Sequence, residues 1–272
     1  MEHKHITFIG AGNMARSIIS GLIESGYPAN LITATAPSQN SRDALSQEYA
    51  VNTTADNIAA AQTADVVVLA VKPQLMAQVA LELQAVNFEK KLVISIAAGI
   101  TAQRLNEMFN TSLNLVRVMP NTPSLVGQGM SGLFAPEHIN ADDRSFAEQL
   151  MSAVGQVCWV EQESGINGVI AAAGSAPAYF FLFMEAMQNE AIAQGFDHNT
   201  ARQLVQQAAL GAATMVVNNP DVSLGTLQEQ VTSKGGTTAE ALRTFNEHQL
   251  SDIVAKAMQA AVKRAQEMEQ LF

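Results

Sequence analysis

The sequence predicts an α/β chain in two parts: an N-terminal, mostly parallel sheet flanked by helices, followed by an all-α C-terminal domain. Three observations predict it. Short β-branched runs alternate with helical patterns as far as Glu161. A strand, a glycine turn and a helix start open the chain at Ile6–Ala15. After Glu161 the strand signals stop. The expected boundaries are 1–161 and 162–272.

The elements follow in order. His5–Ile9 reads as a strand, Met14–Ser25 as a helix and Leu31–Ala36 as a second strand. Arg42–Glu48 is helical, and a short extended piece lies near Val51. Asp65–Val71 is so continuously apolar that it predicts a central strand covered on both faces. A helix at Gln74–Leu83 precedes strands at Leu92–Ala97 and Leu113–Met119. A last pair near Gly132–Phe134 and Val157–Val160 brackets a helix at Ala141–Ala153. In the second part, Ala178–Gln194 is apolar on every face, which predicts burial among other helices. Ala201–Val217 and Thr237–Asn246 follow. The last helix carries Val254, Ala257, Met258, Ala261, Val262, Ala265 and Met268 on one stripe. Helices this apolar need more cover than one copy supplies, so a homodimer through this domain is expected.

With 272 residues, 48% of them apolar, the chain can bury a large core. A formal charge of −10 argues against nucleic acid and anionic membranes as partners. Any anion must therefore be captured by local dipoles. The single Cys158 excludes an internal disulfide framework and disfavours a cysteine zinc site, so no metal is expected. Met-Glu-His-Lys-His leads straight into a strand without a signal peptide, and no uninterrupted apolar run looks long enough to span a bilayer. The expected location is cytoplasmic.

Ile6–Ala15 carries a G-x-G-x-x-A turn. Gly10 permits the tight turn, Gly12 lets backbone approach a pyrophosphate, and Ala15 keeps helix and strand close; Asn13 and Met14 open the helix beneath that phosphate site. The end of the second strand selects the dinucleotide. No acid stands between Glu24 and Asp43 to bind a ribose 2′-hydroxyl, whereas Ser38, Asn40 and Arg42 suit a 2′-phosphate. NADPH is therefore expected, with NADH a weaker possibility. Arg42 fits a solvated position on the next helix equally well.

Ligands of open parallel sheets bind beyond the carboxyl ends of the strands. Ala70, Val71, Lys72 and Pro73 follow the fourth strand, and Ser95–Gly99 ends the fifth. Small residues at 97–99 would let a nicotinamide ring lie flat against backbone. Pro120 and Pro123 fix a loop presenting Asn121 and Thr122 after the sixth strand. Far away in sequence, Val-Thr-Ser-Lys-Gly-Gly-Thr-Thr-Ala-Glu-Ala-Leu (231–242) runs two glycines and four hydroxyl residues into a helix start. Unpartnered N–H groups and the helix dipole make this a second anion cradle. The first would suit a cofactor's phosphates, the second a substrate's carboxylate.

Taken together, Gly-Ala-Gly-Asn-Met-Ala (10–15), Ala-Val-Lys-Pro (70–73), Val-Met-Pro-Asn-Thr-Pro (118–123), Gly-Ser-Ala-Pro-Ala-Tyr (174–179) and the 231–242 stretch resemble the pyrroline-5-carboxylate reductases over essentially the whole chain. The last stretch matches that family's signature without a gap. Ala176 departs from it, standing where many members carry glycine.

The resemblance implies a Rossmann domain followed by a helical domain that interleaves with a partner's, with dimers often assembling further. It implies cofactor contacts at Asn57 and at Ala70–Pro73, and a nicotinamide bordered by Ala97 and the Asn121–Thr122 loop. It also implies a substrate cradle of Ser233, Gly235, Gly236, Thr237 and Thr238. The implied reaction is NADPH-dependent hydride transfer to the C=N carbon of 1-pyrroline-5-carboxylate, an imino acid, giving proline. Hydride chemistry belongs to the cofactor, and a cyclic iminium arrives already protonated, so orientation is the protein's main contribution. Thr238 is expected to orient the ring nitrogen, and the Ser233 hydroxyl to assist the backbone N–H groups. Thr238 can also serve as a cap or first-turn residue. A β-hydroxyacid dehydrogenase would need a lysine on a second-domain helix, and no lysine lies between Lys91 and Lys234. A reductase of another ring imine and a non-catalytic NADP(H) sensor remain as alternatives.

Overall fold

The computed structural model describes residues 2–272. Strands β1 (Ile6–Ile9), β2 (Ile32–Thr35), β3 (Asn52–Thr54), β4 (Val66–Leu69), β5 (Leu92–Ser95), β6 (Asn114–Met119), β7 (Gly129–Phe134) and β8 (Gly155–Trp159) form one sheet in the order β3-β2-β1-β4-β5-β6-β7-β8. Every pairing is parallel except β6 with β7. Helices α1 (Asn13–Glu24), α2 (Gln39–Tyr49), α3 (Asn57–Thr63), α4 (Pro73–Leu83), α5 (Ala102–Phe109) and α6 (Ala141–Ser152) connect the strands.

The strand pleat divides the core into two layers. Ile6, Phe8, Val66, Val68 and Ile94 face a layer completed by Ile18, Ile19, Leu22 and Leu150. Ile9, Val67, Leu69 and Val93 face another, completed by Met76, Leu83, Leu105 and Phe109. All of Val66–Leu69 is fully buried, as the unbroken apolar run requires of a central strand. Each such side chain contributes about 1.5–3 kcal/mol of burial free energy.

Four short helices escape the sequence pattern: α3, α5 and, further along the chain, Gly165–Val169 and Leu224–Gln230. The extended piece near Val51 becomes β3 one residue later.

Two compact units are present: residues 2–175 with 260–272, and residues 176–259. By compactness the first unit runs to Ser175 and also takes in the last residues of the chain. The reason is burial: Ala265 is buried, and Phe272 packs against the second apolar layer.

Next along the chain come α7 (Gly165–Val169), a π-helical turn at Ile170–Gly174, α8 (Ala176–Ala193), α9 (His198–Asn218), α10 (Leu224–Gln230), α11 (Thr237–Glu247) and α12 (Leu250–Glu269). In the second unit, Ala201 and Val205 of α9 are buried, and the rings of Phe183 and Phe245 lie 5.9 Å apart. The Asp197 carboxylate caps α9, accepting from the Asn199 and Thr200 N–H groups and from the Thr200 hydroxyl at 2.6 Å. Helix α8 departs from expectation, because none of its residues is buried. Phe180, Phe181 and Leu182 are each more than 60% exposed. Its apolar faces lack cover from their own chain. Gly165–Ala193 is also long and apolar enough, by length and composition, to cross a membrane. The sequence reading missed this because Gly174, Ser175 and Pro177 interrupt the apolar run.

Candidate active site

The carboxyl ends of the parallel strands gather most of the residues expected at a cofactor. Strand order reverses between β1 and β4, which opens a crevice at the switch point. Gly10, at the end of β1, adopts φ +105°, and a Cβ there would lie 2.8 Å from the Ala70 carbonyl oxygen. Only glycine lets the β1 turn pass so close to the end of β4. Gly12 is the N-cap of α1 and has nothing within 4 Å of a Cβ position. No side chain caps α1 and no acid lies in its first turn. Gly12 and Asn13 are exposed, while Ala15 is buried against the sheet and Met14 packs beside it. The result is an open cradle of N–H groups at a positive helix end, which fits a pyrophosphate.

Beyond β2, Ser38 is the N-cap of α2 but makes no capping bond, and the first turn contains no acid. Asn40 is exposed beside it. Arg42 is half-buried, and its Nη1 donates to the carbonyls of Ala36 and Pro37 at 2.5 and 2.9 Å. Its guanidinium is thereby held at the strand end instead of being solvated along α2. Asn57 begins α3 and donates to Glu82 Oε2 at 3.1 Å. After β4, Ala70 and Val71 are half-buried, Lys72 is exposed, and Pro73 starts α4.

Ala97 is nearly buried at the end of β5, and Gly99 turns the chain at φ +73°. After β6, Thr122 is exposed, whereas Asn121 is buried. The Asn121 amide donates to Ala173 O at 3.1 Å and accepts from Met130 N at 2.8 Å. Its side chain is tied to Ala173 and Met130 and its backbone carbonyl accepts from Ser124 N, so Thr122 is the exposed residue of the pair. Sequence reasoning missed one further pair. Arg117 Nη1 lies 2.6 Å from Glu163 Oε1, and the same oxygen accepts from Ala102 N at the start of α5. No local signal joins residues this far apart in the chain.

The second cradle lies in the other unit. Gly235 adopts φ +70°, and Gly236 is the N-cap of α11, with extended backbone and no side-chain cap. Gly236 N donates to Ser233 O at 3.0 Å, closing a turn, and Glu240 N makes the first helical bond at 3.3 Å. The N–H groups of Thr237, Thr238 and Ala239 precede that first bond and are free to face an anion. A Cβ on Gly236 would run into the Ser233 hydroxyl. With Gly236 at the cap position, the Thr238 hydroxyl stands outside the cap, half-buried, while Ser233, Lys234 and Thr237 are exposed.

Residues 163–268 match the family model for pyrroline-5-carboxylate reductase dimerisation, and residues 5–99 match the model of F420-dependent NADP oxidoreductases. A pyrroline-5-carboxylate reductase of Vibrio alginolyticus is 73% identical over 272 residues, covering all of both chains. The chain belongs to the pyrroline-5-carboxylate reductase family. The structure of the Coxiella burnetii reductase superposes on this one with a TM-score of 0.93 at 43% identity, covering 98% of this chain and 99% of that one. A Plasmodium falciparum pyrroline carboxylate reductase with NADP bound gives a TM-score of 0.87 at 26% identity, covering 99% of each. This reductase is an NAD(P)-dependent oxidoreductase of proline biosynthesis that reduces 1-pyrroline-5-carboxylate. Its residues 163–268 form the family's dimerisation segment, which accounts for the uncovered apolar faces of α8.

Proposed function

We propose that the two cradles divide the reaction between them, the glycine turn after β1 holding the cofactor and the 233–238 turn holding the imino acid. When bound, NADPH supplies the hydride. The N–H groups opening α1 neutralise the pyrophosphate, and Ser38, Asn40 and Arg42 receive the 2′-phosphate, so NADPH is preferred to NADH. Asn57 and Ala70–Pro73 line the cofactor, with Ala97, the Asn121 backbone and Thr122 at its nicotinamide end.

At the second cradle, N–H groups around Gly236–Thr238, with the Ser233 hydroxyl, grip the substrate carboxylate. The Thr238 hydroxyl bonds to the ring nitrogen and orients the C=N carbon. Neither hydroxyl acts as a strong acid, because the iminium arrives protonated. The observation that carries this reading is the glycine N-cap of α11, which leaves N–H donors and the Thr238 hydroxyl free for a ligand. The working unit is a homodimer through the C-terminal helices, with dimers assembling further. Its location is cytoplasmic, where the lone, partly exposed Cys158 stays reduced.

The test compares NADPH oxidation with pyrroline-5-carboxylate and with its six-membered homologue, in the wild type and two variants. Thr238→Ala is expected to lower turnover about ten- to thirty-fold, as loss of orientation does, with NADPH affinity nearly unchanged. A loss approaching ~10⁴-fold would instead mark an essential acid. Ser233→Ala is expected to raise KM for pyrroline-5-carboxylate. An unchanged KM would remove the carboxylate cradle from the 233–238 turn.

A further inference from the structure

The loop from Ile96 to Thr101 joins β5 to α5 and is held from below by parts of the chain remote in sequence. Gly99 sits against Met268: a Cβ at Gly99 would lie 2.9 Å from Met268 Cβ, with the Met268 methyl 3.4 Å away. Ala102 N is fixed by Glu163, itself paired with the buried Arg117. Arg104 Nε donates to the Phe272 carbonyl oxygen at 2.7 Å. Thr101 caps α5 through Arg104 N, and Ile100 is fully buried. All these residues belong to the sheet-bearing unit. Among these supports, Met268 is the one set directly against the turn that follows Ala97.

We propose that Met268 is a positioning residue for the reduction, setting the height of the Ala97–Gly99 backbone against which the nicotinamide ring rests. This builds on the assignment of that backbone to the nicotinamide end of the site. The physical argument is contact. Gly99 has no side chain to brace its left-handed turn, so Met268 supplies the missing floor. Truncating Met268 removes contacts beneath the turn and lets the loop move away from the reacting carbon. The adenine and pyrophosphate ends, held at α1 and α2, are untouched. Cofactor affinity should therefore persist while the productive approach of the ring is lost.

The experiment uses the full-length enzyme with Met268→Ala and Met268→Leu. Amide hydrogen exchange over 96–101 in the cofactor-free protein is expected to quicken in Met268→Ala and to stay near wild type in Met268→Leu. Turnover in Met268→Ala is expected to fall about ten-fold, with the NADPH dissociation constant within about two-fold of wild type and Met268→Leu restoring the rate. A primary isotope effect with 4-deuterated NADPH is expected to rise as the hydride step becomes limiting. Unchanged exchange and turnover would overturn the proposal, as would parallel losses of turnover, cofactor affinity and melting temperature. Ala98→Val separates this from the assignment it builds on, since it adds bulk at a half-buried point of the same backbone. If that variant turns over normally, the nicotinamide assignment fails. If it is impaired while Met268→Ala is not, the Met268 proposal fails alone.

Discussion

Gly10 shows how a single missing Cβ shapes the turn proposed to hold the cofactor. Two constraints coincide there, a φ of +105° and the Ala70 carbonyl 2.8 Å from where a Cβ would sit. Gly10→Ala is therefore expected to cost on the order of 1–3 kcal/mol from backbone strain alone, seen as a lower chemical-denaturation midpoint. The same variant should weaken NADPH binding, because relief of the clash moves the turn away from β4. Full stability and affinity would show that the turn adapts freely. At this scale the sequence was legible where a residue's job is local. Gly10, Gly12 and Ala15 declare themselves by spacing. Asn121 does not: the sequence places it in the right loop, but the packing of Ala173 and Met130 decides that its amide is tied down. Arg42 was ambiguous for a related reason. Two carbonyls at the end of β2 hold it, and no pattern of residue types reveals which carbonyls lie free.

Helix α9 opens on a carboxylate cap, Asp197. The Asp197 carboxyl is held below its ordinary range chiefly by the Thr200 hydroxyl, then by the Thr200 backbone N–H. A carboxylate depressed on folding stabilises the fold above its unfolded titration range, and that contribution disappears as pH falls through the folded one. Asp197→Asn retains a cap but no titration there. Wild type is therefore expected to melt higher than Asp197→Asn at neutral pH, with the gap closing on acidification below the normal aspartate range. A gap independent of pH would contradict the capping charge. Elements were legible in proportion to their length and regularity. The fully buried β4 announces itself by four consecutive apolar residues, and α1 by its apolar stripe. The seven-residue α3, Asn-Ile-Ala-Ala-Ala-Gln-Thr, is too short to show a period. Its cap at Asp56, like that of α5 at Thr101, was the signal that could have revealed it.

At the scale of the whole molecule, the helical unit is the part a single copy leaves unfinished. Phe181 and Leu210 are 63% and 61% exposed, on helices that the family's dimerisation model covers. Phe181→Glu combined with Leu210→Glu is expected to convert the assembly to a folded monomer in sedimentation equilibrium, with helical content preserved. Persistence of the native assembly would place the interface on other faces. The sequence disclosed that these helices needed cover but not that their own chain would leave every residue of α8 short of burial, because periodicity reports apolarity and says nothing about which copy meets it. The sheet-bearing unit holds a different lesson, through the contacts of Gly99 and Arg104 with Met268 and Phe272. During synthesis a chain emerges from its amino end, and domains usually settle as they appear. Here the turn after β5 lacks its contacts with Met268 and Phe272 until α12 has left the ribosome. A turn made early thus waits for a helix made more than 150 residues later, and until then its left-handed glycine has nothing packed against it.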